Sequence, residues 1–159
     1  MRAIKWVDIF YIMLLGITLG TVLTLGALVA STIFNSEDYL NSKILSHYQE
    51  GLIMTGIFLK ANYLFNFTAI VIILREGYSF KLFQRDKIVL ISAMSAVFAI
   101  FMFTLYYTPD ILAYQAAGEE MTKSKNFANI HKASELDFYL LALSLIVLIV
   151  RRLQLLIKE

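Results

Sequence analysis

Cysteine is absent from the 159-residue chain, which excludes disulfides, thiolate metal ligands and thiol nucleophiles. Proline occurs once, at Pro109, and histidine twice, at His47 and His131. Any imidazole chemistry therefore rests on two rings. Charge is scarce: 16% of the residues are Asp, Glu, Lys or Arg, against about 25% in an average soluble domain. The formal net charge is only +2, and no basic run is interleaved with aromatics, so the footprint of a nucleic-acid binder is missing. The P-loop, the nucleophile elbow, the H-E-x-x-H zinc motif and the dinucleotide fingerprint are missing too. With no motif of a catalytic class left, the chain reads as a binding or interaction protein and not as an enzyme.

What is abundant is apolar. Hydrophobic residues make up 59% of the chain, and the mean hydropathy is +0.70. A bilayer core of about 30 Å takes about 20 apolar helical residues to cross. Four stretches meet or approach that length, at about 6–34, 51–74, 88–107 and 130–150. The expectation is an all-α integral membrane four-helix bundle, a single domain over 1–159, with the lipid bilayer as its main partner. The first span follows Arg2 and Lys5 as a secretory signal would. Its apolar run exceeds the about 7–15 residues of a signal core, so it reads as an uncleaved helix.

Lysine and arginine set the orientation. Nine lie at one end: Arg2, Lys5, Arg75, Lys81, Arg85, Lys87, Arg151, Arg152 and Lys158. Lys43, Lys123, Lys125 and Lys132 lie at the other. Both termini and the 75–87 loop are thus expected in the cytoplasm, across a cell inner membrane. The 35–50 and 108–130 loops face outward, each with a short helical segment. In the first, Leu40, Ile44, Leu45 and Tyr48 recur at helical spacing behind a Ser36 cap. In the second, Pro109 stands near a helix start and Gly118 at its end. The aromatic 78–83 stretch, "YSFKLF", reads as a membrane-edge anchor.

Lys60 is the only charged residue among the 24 between Glu50 and Arg75. It lies about 22 Å along its helix from Arg75; Glu135 and Asp137 lie about 24 and 21 Å from Arg151 on the last helix. One layer therefore holds all three, and charges at that depth usually pair inside a bundle. The expectation is an intramembrane ion pair of Lys60 with Glu135 or Asp137. The alternatives are a lysine snorkelling to the outer headgroups and a functional lysine in a cavity.

His131 and Glu135 share a helix face at i, i+4, and His47 and Glu50 stand three apart. Together they form a candidate shell of two imidazoles and two carboxylates for a metal ion, and the two histidines form a candidate axial pair for haem b. The plain alternative is a polar membrane boundary. In the first span, Gly16 and Gly20 form a G-x-x-x-G, continued by Gly26 and Ala30, a pattern that lets helices approach closely. It is read first as packing within the bundle and second as a homo-oligomer face. Thr18, Thr21 and Thr24 can bond their own backbone. Asn62 and Asn66, on another face from Lys60, can join helices by hydrogen bonds.

Three stretches carry a family resemblance: the glycine-rich first helix running into "VASTIF" (29–34), "GLIMTGIFLKANY" (51–63), and "FANIHKAS", where Phe127, His131 and Ser134 fit F-x-x-x-H-x-x-S. By these the chain resembles the bacterial relatives of transmembrane protein 205, a domain-of-unknown-function family. In plan that family is similar to CopD-like copper-resistance membrane proteins. Two features depart from the pattern: Ser31 stands where a proline is expected, and the first helix has no histidine. The resemblance implies a four-helix membrane fold and no settled activity. Three functions are carried forward. The first is an accessory protein of metal or haem handling. The second is a non-catalytic subunit or assembly factor of a larger membrane complex. The third is a small-solute or proton-coupled carrier using Lys60 and Glu135.

Overall fold

The computed structural model describes residues 2–40, 42–82 and 86–158, without the side chains of residues 2–5 and 158. No strand occurs among the described residues. Four long helices dominate: α1 (residues 2–34), α2 (His47–Lys81), α3 (residues 87–116) and α4 (Lys125–Lys158). Each is long and apolar enough to cross a membrane, so the chain is a multi-pass membrane protein in contact with lipid. The turns place the starts of α2 and α4 at one end of the bundle, called the outer end after the expected orientation, and the start of α1 and the end of α4 at the other, called the inner end. Arg85 and Phe83, which the sequence reading used for orientation and for the aromatic loop, lie outside the described residues.

Local chemistry explains the ends. Ser46 and Gln49 close a reciprocal capping box at the start of α2, with bonds of 3.2 and 2.9 Å. Asp86 caps α3 by accepting from the Val89 amide at 3.0 Å. Gly118, at φ 106°, makes the turn toward α4 that a side chain would oppose. The expected interfacial helix after Ser36 is shorter than its hydrophobic spacing suggested. It ends at Leu40, and Tyr48 belongs instead to α2, where its hydroxyl donates to the Gln115 carbonyl at 2.7 Å.

The helices also run past their expected limits. α2 continues to Lys81, so Arg75 sits on a helix and not in a loop. Pro109 stands, as expected, in the first turn of an α-helical segment, Thr108–Ala116, but that segment continues α3 directly from a π-helical one, Met102–Tyr107. The wider turn relieves the clash a proline imposes on the preceding turn. The Phe103 carbonyl accepts both the Thr108 amide and, at 2.7 Å, the Thr108 hydroxyl. α1 has a second π segment, Thr24–Val29.

Packing inside lipid depends on close contact and hydrogen bonds, since lipid tails are as apolar as the core. α3 and α4 share the most extensive contact. Ala93, Ala96 and Ala99 of α3 are buried, as are Leu141, Leu145 and Leu148 of α4. The small-residue face thus belongs to α3. Gly16 and Gly20, expected to pack, are exposed, and a Cβ on either would meet nothing within 4 Å. α1 buries the opposite stripe, Tyr11, Leu15, Thr18, Val22 and Leu25. Thr18 joins Thr68 of α2 at 2.7 Å. Gly26 alone of the three glycines meets a neighbour: a Cβ there would sit 3.5 Å from the Phe138 ring.

Candidate functional site

The outer end is hollow. A cavity of about 750 Å³ lies between the outer parts of all four helices. Its floor is aromatic: Phe58, Phe103 and Phe138 meet with ring centroids 5.0 to 5.4 Å apart. Gly26 and Ala30 of α1 form one wall, and α4 supplies the other from Phe127 to Tyr139. Both π segments border it, through Gly26 and Phe103. Such single-turn bulges often mark functional sites, and nothing in the sequence reading located them.

The upper walls are polar. The Gln115 side chain donates to Thr55 at 2.9 Å, while its Oε1 is buried without a partner. Asn62 donates to Thr108 at 3.3 Å, and Asn66 accepts from Thr104 at 2.9 Å, so both amides join α2 to α3. Lys123 lies at the mouth, where Glu120 and then Glu119 hold its ammonium above the usual lysine range.

Both histidines line this cavity, from different helices. His47 Nδ1 lies 3.4 Å from Glu50, and His131 Nδ1 lies 3.3 Å from Glu135. Each pair is closed within its own helix. The expected four-ligand shell is therefore not assembled: no three His, Cys, Asp or Glu residues come together to hold a metal ion among the described residues. Glu50 is occupied elsewhere, buried and accepting from Ser36 Oγ at 2.6 Å. The F-x-x-x-H-x-x-S stretch forms part of the α4 wall. Phe127 rests on His131 at 5.9 Å, and Ser134 donates to the His131 carbonyl at 2.7 Å.

The chain belongs to the DUF4149 family. The model of that family, described as a domain of unknown function, matches residues 13–120. No curated protein and no solved structure gives a match. In this DUF4149 chain the matched stretch covers α2, α3 and most of α1. The α4 helix, with the wall residues His131 and Glu135 and with Asp137, lies beyond it.

The structure also corrects the reading of Lys60. It is exposed on α2 and makes no ion pair with Glu135 or Asp137 among the described residues. The buried face of α2 runs through Met54, Thr55, Asn62, Phe65, Ala69 and Ile72. Lys60 is two residues from Asn62, about 200° around the helix. Equal depth did not bring the charges together because their azimuths differ.

The ion pairs lie instead at the inner end, where the sequence reading saw only orientation signals. Asp8 of α1 accepts from Arg75 Nε of α2 at 3.0 Å. Glu76 of α2 accepts from Arg152 Nε of α4 at 3.0 Å, and the four side chains of the two pairs are buried or nearly so. Ser79 bonds both arginines. Arg75 also lies over the Tyr11 ring, 5.9 Å from its centroid. Arg151 of α4 holds Asp86, at the head of α3, at 3.0 and 2.6 Å. That guanidinium keeps the Asp86 carboxyl below the usual carboxylate range. The signal that could have revealed this lattice was a carboxylate, Asp8, just inside an apolar span, and an adjacent Arg75-Glu76 pair of opposite sign.

Proposed function

We propose that this protein binds an amphipathic small molecule in its outer cavity, as a membrane-embedded binding or transfer protein. One observation carries the reading: a space of about 750 Å³ with an aromatic floor and a polar mouth. Ligand sites commonly have this volume, an apolar lining and a few placed polar groups. The phenylalanines suit an apolar body. Gln115, Thr55, the two histidines and Lys132 suit a polar or anionic head. The test is mass spectrometry of the protein purified in lipid nanodiscs, beside an Ala30→Trp variant that fills the wall. Stoichiometric retention of an amphiphile by the native chain, lost on filling, is the expected result. An empty native chain after reconstitution with total membrane extract would refute it.

A second reading, haem b, is favoured by the carboxylates on the two histidines. An imidazole whose Nδ1 faces a carboxylate presents Nε2 as the free ligand atom. Two axial imidazoles need no third protein ligand, so the missing metal shell does not oppose it. Haem reconstitution should then give a visible band that His131→Ala abolishes.

We also propose that both termini are cytoplasmic and the cavity opens outward, from the excess of lysine and arginine at the inner end. The cysteine-free chain makes this directly testable. A single cysteine at Ser42 should react with an impermeant thiol reagent in intact cells, and one at Gln154 should react only after lysis.

A further inference from the structure

Asp137 projects from α4 into the bundle, and only 8% of its surface is exposed. Its Oδ2 is buried and has no hydrogen-bond partner. It joins none of the ion pairs among the described residues. It stands about 21 Å from Arg151 along α4, within a hydrocarbon core of about 30 Å. The titratable group that faces it from a packed helix is the Tyr107 phenol of α3. No lysine, arginine or histidine lies within ion-pair distance of it among the described residues. The Asn62 carbonyl oxygen of α2 is a second buried acceptor without a donor. The interior thus holds two oxygen acceptors without donors, and no cation pairs with Asp137 among the described residues.

An ionised carboxylate buried there without a counter-charge costs far more than a neutral acid. A bound proton supplies the missing charge and the missing donor together. We propose that Asp137 is a proton-binding site within the membrane, occupied in this conformation. Phe138, the next residue, forms the cavity floor. A ligand or a helix movement that shifts Phe138 also changes the surroundings of Asp137, so proton release is linked to events in the cavity. The occupancy of the site does not depend on what fills the cavity.

Infrared spectroscopy tests it. The protein in lipid nanodiscs is labelled with ¹³C-carboxyl aspartate and compared with unlabelled protein at neutral pH. The chain has five aspartates. Asp8 and Asp86 each pair with an arginine, Asp38 is exposed and Asp110 is half-buried on α3, so the comparison with Asp137→Asn is what assigns the band. The expected result is an isotope-shifted carbonyl stretch of a protonated aspartic acid, worth one residue, that is absent from Asp137→Asn. Wild-type protein alone suffices to overturn the proposal should that variant not fold: no protonated aspartyl band at neutral pH would do so. Loss of the band on adding sodium at constant pH would also overturn it, since a metal cation would then own the site.

Discussion

Replacing Glu76 with Gln removes one partner of the most buried ion pair and leaves Arg152 in place. Glu76 and Arg152 are 8% and 9% exposed, so water cannot take over the guanidinium. The amide introduced at position 76 can accept one of the two bonds, without its charge, and turns a donor toward the guanidinium, while the 3.4 Å bond to Ser79 survives. Both bonds to a carboxylate are lost, each worth about 1.5–3 kcal/mol. Leaving one member of a buried pair uncompensated costs about 3–5 kcal/mol in measured cases, and the two magnitudes agree. Replacing both, as Glu76→Leu with Arg152→Leu, removes the stranded charge. The double variant should fall within about 1 kcal/mol of the native protein, or exceed it. Unfolding in mixed micelles of rising SDS fraction measures this, followed by helicity and by the fluorescence of Trp6, the sole tryptophan. Ser79 is shared with Arg75, so the Asp8 pair is coupled to this one and a cycle including Asp8→Asn should be non-additive. A Glu76→Gln cost below about 1 kcal/mol, or a double variant costing the sum of the singles, would refute the argument that the pair is desolvated.

Other outcomes follow from the same geometry. Lys60→Met should leave stability within about 0.5 kcal/mol of native in the same assay, since the ammonium has no partner to strand; a cost of several kcal/mol would restore the buried pair. Gly16→Leu and Gly20→Leu should be tolerated, whereas Ala96→Leu, at a fully buried position, should cost about 1–3 kcal/mol or more by overpacking. Gly118→Ala should cost about 1–3 kcal/mol in the same unfolding series, because φ 106° with ψ 170° is a conformation almost reserved for glycine. The Asp86 carboxyl titrates lower in the folded state than in the unfolded one. Its contribution is therefore present above the unfolded value and lost as pH falls through the folded one. Asp86→Asn should flatten the acid limb of a stability–pH profile and leave the limb above pH 7 unchanged.

The four spans were legible because lipid imposes a simple demand: about 20 apolar residues in a helix that satisfies its own backbone. Depth along each helix was legible for the same reason. Azimuth was not. Lys60, Glu135 and Asp137 share a layer, yet Lys60 faces outward, and the Asn62 and Asn66 amides hold the buried face. The glycines of α1 misled in a related way, because a G-x-x-x-G supplies room but does not choose a partner, and the alanines of α3 fill that role. The outer histidines were legible as a shared location but not as a metal shell, because each imidazole already has a carboxylate on its own helix. The inner lattice was missed because Arg75, Arg151 and Arg152 also satisfy the charge rule that orients a membrane protein, and one residue can do both.

Each π segment amounts to one extra residue wound into an otherwise regular helix. Deleting one residue from Thr24–Val29 would let α1 close up as ordinary helix, with every bond satisfied and its fit to the membrane hardly altered. The part of α1 beyond the deletion would turn by about 100°. Ala30 and Phe34 would swing away from the cavity, and another face would arrive there. Within this family a single-codon gain or loss at that place, harmless to membrane insertion, would exchange the wall of the binding space in one step.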